Sequence, residues 1–309
     1  MAATIYEWYG YRVADMSPAA AESAVARRCP FLAADCVKPT GICSIETASE
    51  PVIICPNRLY FDGHRVLARI ASDAFDDVPI DRGADGWPTL VPGASAHAVA
   101  VQKATAQVGV LGGGWGGEVR LPPAYPEGPR YSVDFLLIVV NELGELIRFT
   151  PVEVQSMDTT NSRSLATSAD RLRVDRQDNQ PTNAGLNWEN VNKRILAQLI
   201  VKGLMLQAEE LCRSGIYLVT PESVYRRIMI RLGGEHRFRR IPKQPGSITF
   251  VRYVYDTTRE LIDGEVAPLR QLDTEVISTS DLSLAFITPE NLPEAGSYAQ
   301  SIRNRLRIR

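Results

Sequence analysis

The pattern of hydrophobic and polar positions predicts a mixed α/β fold. Residues 131–140 are almost continuously apolar, as in a buried strand, and residues 145–158 return after the turn sequence Asn-Glu-Leu-Gly. Shorter apolar runs predict further strands at residues 217–219, 248–255 and 275–287. Helical spacing and terminal signals predict helices at residues 14–28, 95–107, 186–213 and from Pro221 to about Leu232. We therefore expect a sheet flanked by helices.

Length and composition set the size of the core and exclude some classes of protein. With 309 residues and 45% hydrophobic content, the chain can form one large domain and a small satellite. No apolar run reaches the ~18 residues needed to cross a bilayer, and the first 13 residues lack the apolar segment of a secretory leader. We therefore expect a cytoplasmic protein that does not enter membranes. The predicted division is an N-terminal region, residues 1–85, followed by a core of residues 86–309.

Four of the five cysteines occur within the first fifth of the chain: Cys29, Cys36, Cys43 and Cys55. Thiols in a reducing compartment seldom form disulfides, so a shared metal ion explains the cluster better. The spacing is wider than in common zinc fingers, and we expect four thiolates around one structural iron or zinc ion. Scattered buried thiols are the simpler alternative. The fifth cysteine, Cys212, follows apolar residues and is expected to be a packed core thiol.

Two carboxylates are predicted to meet on neighbouring strands. If the hairpin turns between Leu143 and Gly144, Asp134 faces Glu153 across the ladder, and Gln155 projects from the same face as Glu153. Two carboxylates and an amide suit Mg²⁺, which completes its shell with water and phosphate oxygens. Glu118 could join as a third acidic group. The alternative for Asp134 is a buried ion pair with an arginine.

The order Asp134, Glu153, Gln155 resembles the PD-(D/E)XK nuclease signature, with glutamine in place of the usual lysine. Glutamine can orient a water molecule but supplies no charge, so a metal ion would have to activate the water. The cysteine segment and this acidic set together resemble the NotI family of type II restriction endonucleases, which includes EagI-like enzymes. The resemblance covers roughly residues 25–215.

This resemblance implies a PD-(D/E)XK-type nuclease core with a small N-terminal module in which four cysteines bind a metal ion. It also implies a homodimer that cleaves double-stranded DNA with Mg²⁺ at a palindrome of G and C containing CGGCCG. Asp134 and Glu153 would hold Mg²⁺, Glu118 and Gln155 would assist, and the four N-terminal cysteines would hold iron.

The net charge of −2 argues against a protein that coats nucleic acid, but basic residues are clustered locally. The candidates for DNA binding through guanine bases, with phosphate contacts or plain solvation as the alternatives, are Arg27, Arg28, Arg237, Arg239, Arg240 and Lys243. Two other functions stay open: a metal-stapled regulator that binds DNA without cutting it, and a redox protein with an iron–sulfur cluster.

The glycine run at residues 112–117 lacks the Lys-Ser/Thr ending of a phosphate-binding loop, so no nucleotide cofactor is expected.

Overall fold

The computed structural model describes residues 3–120, 126–128, 130–290 and 292–307, without the side chains of residues 191 and 192. Its strands build the framework that carries the site. In chain order they are β1 (Thr4–Trp8), β2 (Tyr11–Arg12), β3 (Arg28–Cys29), β4 (Ala34–Asp35), β5 (Ile42–Glu46), β6 (Pro51–Ile53), β7 (Leu90–Pro92), β8 (Gln107–Gly112), β9 (Phe135–Val140), β10 (Leu146–Val154), β11 (Ile216–Pro221), β12 (Ser247–Tyr255), β13 (Leu269–Gln271) and β14 (Glu275–Ser278).

Within the described residues, eight strands form one mixed sheet in the order β13-β12-β11-β10-β9-β8-β7, with β14 also paired to β12. Strands β10, β11 and β12 are parallel, and β9 is antiparallel to both of its neighbours. A second sheet, ordered β2-β1-β5-β6, and the small β3-β4 pair belong to the N-terminal region. The predicted mixed α/β architecture is confirmed.

The helices are α1 (Pro18–Ala26), α2 (Phe61–Ala74), α3 (Gly93–Lys103), α4 (Ser162–Val174), α5 (Trp188–Asn190), α6 (Leu196–Leu206), α7 (Glu222–Arg231), α8 (Thr279–Ile287) and α9 (Ser297–Leu306). A π-helical turn at Val191–Ile195 joins α5 to α6, and 3-10 turns occupy Pro56–Tyr60 and Glu235–Arg237. None of the described helices is both long and apolar enough to pass through a membrane.

Two large apolar cores cover the two faces of the large sheet, and a small cluster of Ala96, Ala100 and Val140 lies beneath α3. Leu218 and Phe250 point to the core that contains α4, α6, α7 and α8, which we name the α6 face. Tyr217 and Val251 point to the other core, which contains α2 and is named the α2 face. Because side chains alternate along a strand, Glu153, paired with Leu218, belongs to the α6 face. Both cores contain residues from each side of the predicted division at residue 85.

Several predicted elements are shorter than predicted, including α1, β9 and β10, and others differ more strongly. The helix predicted at 186–213 is divided by the π-helical turn and ends at Leu206. Gln107, predicted to end a helix, and Gly112, the first residue of the glycine run, are the two ends of strand β8, in which Val108 and Val110 are buried and Gly109 packs against Ala96 of α3. Residues 279–287 are helix α8 rather than strand, because Ser278 caps the helix by accepting from the amides of Ser280 and Asp281.

Candidate active site

The β9–β10 hairpin has the register that the predicted turn axis requires. Phe135 pairs with Val152, and Leu137 pairs with Thr150. The next position along the ladder brings Asp134, just before β9, beside Glu153 near the end of β10. The hairpin lies between β8 and β11, so two neighbouring strands hold it inside the sheet. A rigid element therefore positions both predicted carboxylates.

Asp134 is fixed to the neighbouring strand by its own side chain. Its Oδ2 accepts a hydrogen bond from the backbone amide of Val154 at 2.7 Å. The residue as a whole is exposed, but the surrounding protein still removes water from the carboxyl group and raises its pKa. The Val154 amide and the charge of Lys202 oppose that shift but do not cancel it.

Glu153 is half-buried and forms an ion pair with Lys202 of α6. Burial, together with the nearby charge of Asp134, raises the pKa of Glu153 to about 7, although Lys202 acts in the opposite direction. Two carboxylates that are partly removed from water and repel each other attract a cation strongly. The arrangement is therefore suited to a divalent metal ion, and Mg²⁺ needs only one or two protein carboxylates.

Both carboxylates line one polar cavity of about 450 Å³. The cavity also contains a third acid and three cations, which are Asp158, Arg130, Arg194 and Lys202. Its amide groups belong to Gln155, Asn190 and Gln198. Acids that can hold a cation are thus surrounded by basic groups that can attract an anion, which is the combination that a phosphate ester and its metal ion require.

Gln155 lies in the cavity wall, as predicted, but its amide nitrogen donates to the carbonyl of Ser156 at 2.7 Å. The amide oxygen is therefore the group left to orient a water molecule. Glu118 is not among the described residues that line the cavity. Its carboxylate binds Arg120 at 2.8 Å and interacts with Ser132 at the cavity rim, and these contacts lower its pKa. The structure brings together three of the four predicted catalytic residues.

Sequence reasoning missed Lys202, Arg130, Arg194 and Asp158. For Lys202 a signal was present, because it is the lone charged residue in the apolar segment Leu-Ile-Val-Lys-Gly-Leu. A charged lysine in an apolar helix, like Asp134 in its apolar strand, is costly unless it has a partner. Asp158 accepts a hydrogen bond from the side chain of Asn190, which only the folded chain reveals.

The four N-terminal cysteines lie in the same part of the molecule. Cys29, Cys43 and Cys55 are buried in the core of the α2 face, and Cys36 packs against them. The backbone amide of Cys55 donates to the carbonyl of Cys43 at 3.1 Å, which holds these two residues together. Burial raises the pKa of the Cys29, Cys43 and Cys55 thiols, and neighbouring cysteines raise it further.

Among the described residues, no three His, Cys, Asp or Glu side chains are gathered as a metal site would gather them. Cysteine thiolates are suitable ligands for iron or zinc. In the structure, however, the four cysteines share one core without converging on a common metal position. The predicted magnesium site is a smaller set, since it needs two carboxylates completed by water and substrate oxygens. Cys212 is fully buried in the core of the α6 face, as predicted.

The predicted DNA-contacting residues are not among the described residues that line the cavity. Arg27 and Arg239 are exposed, and Arg28 donates to the carbonyl of Ala33. The other three form ion pairs within the protein: Arg237 with Glu290, Arg240 with Glu275, and Lys243 with Asp73. Asp73 also accepts from the Tyr217 hydroxyl, so Lys243 is tied to the α2 face.

Comparison with known proteins identifies no relative of this chain among protein-family models or curated proteins.

Proposed function

We propose that this protein is a Mg²⁺-dependent type II restriction endonuclease that hydrolyses double-stranded DNA. The observation that carries the proposal is the convergence of Asp134, Glu153 and Gln155 on one cavity that also presents cations. Specificity for a palindrome of G and C containing CGGCCG, and action as a homodimer, follow from the resemblance to the NotI family. A non-cleaving DNA-binding regulator would have no use for two repelling carboxylates in a polar cavity.

The residues fit a magnesium ion, since Asp134 and Glu153 can each offer an oxygen and the cavity leaves room for water and phosphate. When bound, Mg²⁺ lowers the pKa of water and offsets negative charge on the phosphate. Gln155 orients the attacking water through its amide oxygen. Arg130 and Arg194 attract the DNA backbone to the cavity mouth.

The reaction consumes one water molecule for each bond broken. The water oxygen bonds to phosphorus, the opposite phosphorus–oxygen ester bond breaks, and the departing oxygen ends as a hydroxyl group. The water gives up one proton to solvent or to a nearby base, and the departing oxygen takes one up. The products are a phosphomonoester end and a hydroxyl end.

Digestion of a sequenced plasmid with CGGCCG sites tests the function directly. The wild-type protein should give discrete fragments with Mg²⁺ and none with EDTA. Asp134→Asn and Glu153→Gln should lose cleavage by at least about 100-fold while keeping DNA binding, because the metal ligands are removed and the basic surface is not. Glu142→Gln, an exposed carboxylate in the turn of the same hairpin, is the matched control. Full cleavage by either site variant would remove these residues from the chemistry.

We further propose that iron or zinc gathers the four N-terminal cysteines into one structural centre. Such a centre would stabilise a region that is rich in turns and short strands, because metal binding contributes directly to folding. Elemental analysis of the purified protein should find one iron or zinc ion per chain, reduced in Cys29→Ser and Cys43→Ser but not in Cys212→Ser. A wild-type protein without stoichiometric metal would refute the centre and leave the nuclease proposal intact.

A further inference from the structure

Lys202 is an unusual residue for the place that it occupies. It lies in α6, and its side chain is only 10% exposed. Its ammonium group meets the carboxylate of Glu153 at the polar cavity. On its other side it borders an apolar groove of about 480 Å³, to which Phe149, Met205 and Leu206 contribute. A lysine therefore stands at the wall between an apolar groove and the candidate active site.

Stability alone does not explain a lysine at this position. Taking a lysine and a glutamate out of water costs free energy that their attraction only partly returns. An apolar side chain of similar length, such as methionine, would pack against the groove without that cost. The lysine is therefore better explained by what its charge does in the cavity.

The charges in the cavity point to that role. Asp134 and Glu153 carry two negative charges, which a bound Mg²⁺ ion balances, and Gln155 adds none. In hydrolysis the phosphate gains negative charge as the water oxygen approaches phosphorus. Because Mg²⁺ then balances the charge of Glu153, the positive charge of Lys202 is free to act on the phosphate.

We propose that Lys202 acts on the reacting phosphate, supplying from helix α6 the positive charge that Gln155 lacks on the strand. The inference rests on the proposed nuclease function. In the free protein the ammonium group holds Glu153. With metal and DNA present it is shared with a phosphate oxygen, which it stabilises as charge develops.

Lys202→Met tests the role, with Lys202→Arg as the variant that keeps the charge. Lys193→Met is the matched control, because Lys193 lies in the turn before α6 and forms an exposed pair with Glu189. Single-turnover cleavage should fall by about 100-fold or more in Lys202→Met, and by clearly less in Lys202→Arg. The Lys193 variant should cut at the wild-type rate.

A second readout separates a role in the reaction from a structural one. Calorimetric titration with Mg²⁺ should give equal or tighter binding in Lys202→Met than in the wild type, because a competing cation has left Glu153. Tighter metal binding with slower cleavage is not what a merely structural lysine would produce. Weaker Mg²⁺ binding with a proportional loss of folded protein would overturn the inference.

The outcomes also separate the inference from the function on which it rests. If the wild type and Lys202→Met cut DNA within about fivefold of each other, the role of Lys202 is refuted while the nuclease stands. If the wild type cuts no DNA with Mg²⁺, the proposed function and the role of Lys202 both fall.

Discussion

The folded protein disfavours the charged form of Glu153 relative to the protonated form. Its pKa rises from 4.5 to about 7, so the folded state binds the proton more tightly than the unfolded state does. This contribution to stability is complete below the unfolded pKa and is lost as pH rises through about 7. The metal-free wild type should therefore lose stability between pH 5 and pH 8 at this residue.

Glu153→Gln should remove that pH dependence. Relative to the wild type, the free energy of unfolding of the variant should increase between pH 5 and pH 8 by on the order of 2–3 kcal/mol. The pKa of about 7 already includes the attraction of Lys202, so the ion pair needs no separate correction, and the change with pH is the diagnostic quantity. Urea unfolding in EDTA measures it.

Glu142→Gln provides the baseline for this comparison, because Glu142 is exposed in the hairpin turn. Its difference from the wild type should stay the same at both pH values. A Glu153→Gln variant that also shows a constant difference would mean that the folded protein does not perturb this carboxyl group.

At the scale of the element, the glycine run after β8 has a defined structural task. Gly112 ends β8 opposite Phe135 with a φ of +93°, and a Cβ atom there would lie 2.3 Å from the carbonyl oxygen of Asp134. No other residue type fits this approach without moving the backbone that carries the carboxylate. The glycine therefore helps to place Asp134.

Gly112→Ala should displace Asp134 and lower DNA cleavage by at least about tenfold, since small misplacements of a reacting group are costly. Gly114→Ala is the matched control: its φ is +90°, but nothing lies within 4 Å of the added atom. Both variants should lose about 1–2 kcal/mol from the positive φ, measured by urea unfolding, and only the first should lose cleavage. Equal cleavage rates in the two variants would contradict the placement role.

Some of the secondary-structure elements were predictable from the sequence and others were not. The β9–β10 hairpin is local: its turn residues and apolar strands adjoin in the chain, so its register followed from the sequence alone. Helix α8 was not predictable, because a short apolar run suits a strand as well as a helix and the Ser278 cap decides between them. Lys202 and Arg194 reach the cavity from segments remote in sequence, and only the packing of α6 on the sheet brings them there.

At the scale of the whole molecule, the net charge of −2 gives no general attraction to DNA. Binding must then come from local groups, and the structure separates two kinds. Arg194 is exposed at the cavity that holds Asp134 and Glu153. Arg237 is engaged with Glu290 and with the carbonyl oxygens of Leu232 and Thr288. An arginine already bound within the protein has less charge to offer a phosphate.

This difference predicts how salt should affect binding in two arginine variants. Each phosphate contact contributes about one unit to the slope of log affinity against log salt concentration. Arg194→Ala should lower that slope by about one unit on any DNA sequence, measured with Ca²⁺ in place of Mg²⁺ so that no cleavage occurs. Arg237→Ala should leave the slope unchanged and instead lower the stability of the folded protein, because it removes a partner from two carbonyl groups and a carboxylate. The opposite result would indicate that DNA binds at the loop around Arg237 rather than at the cavity. The basic cluster of residues 237–243 would then be the binding surface.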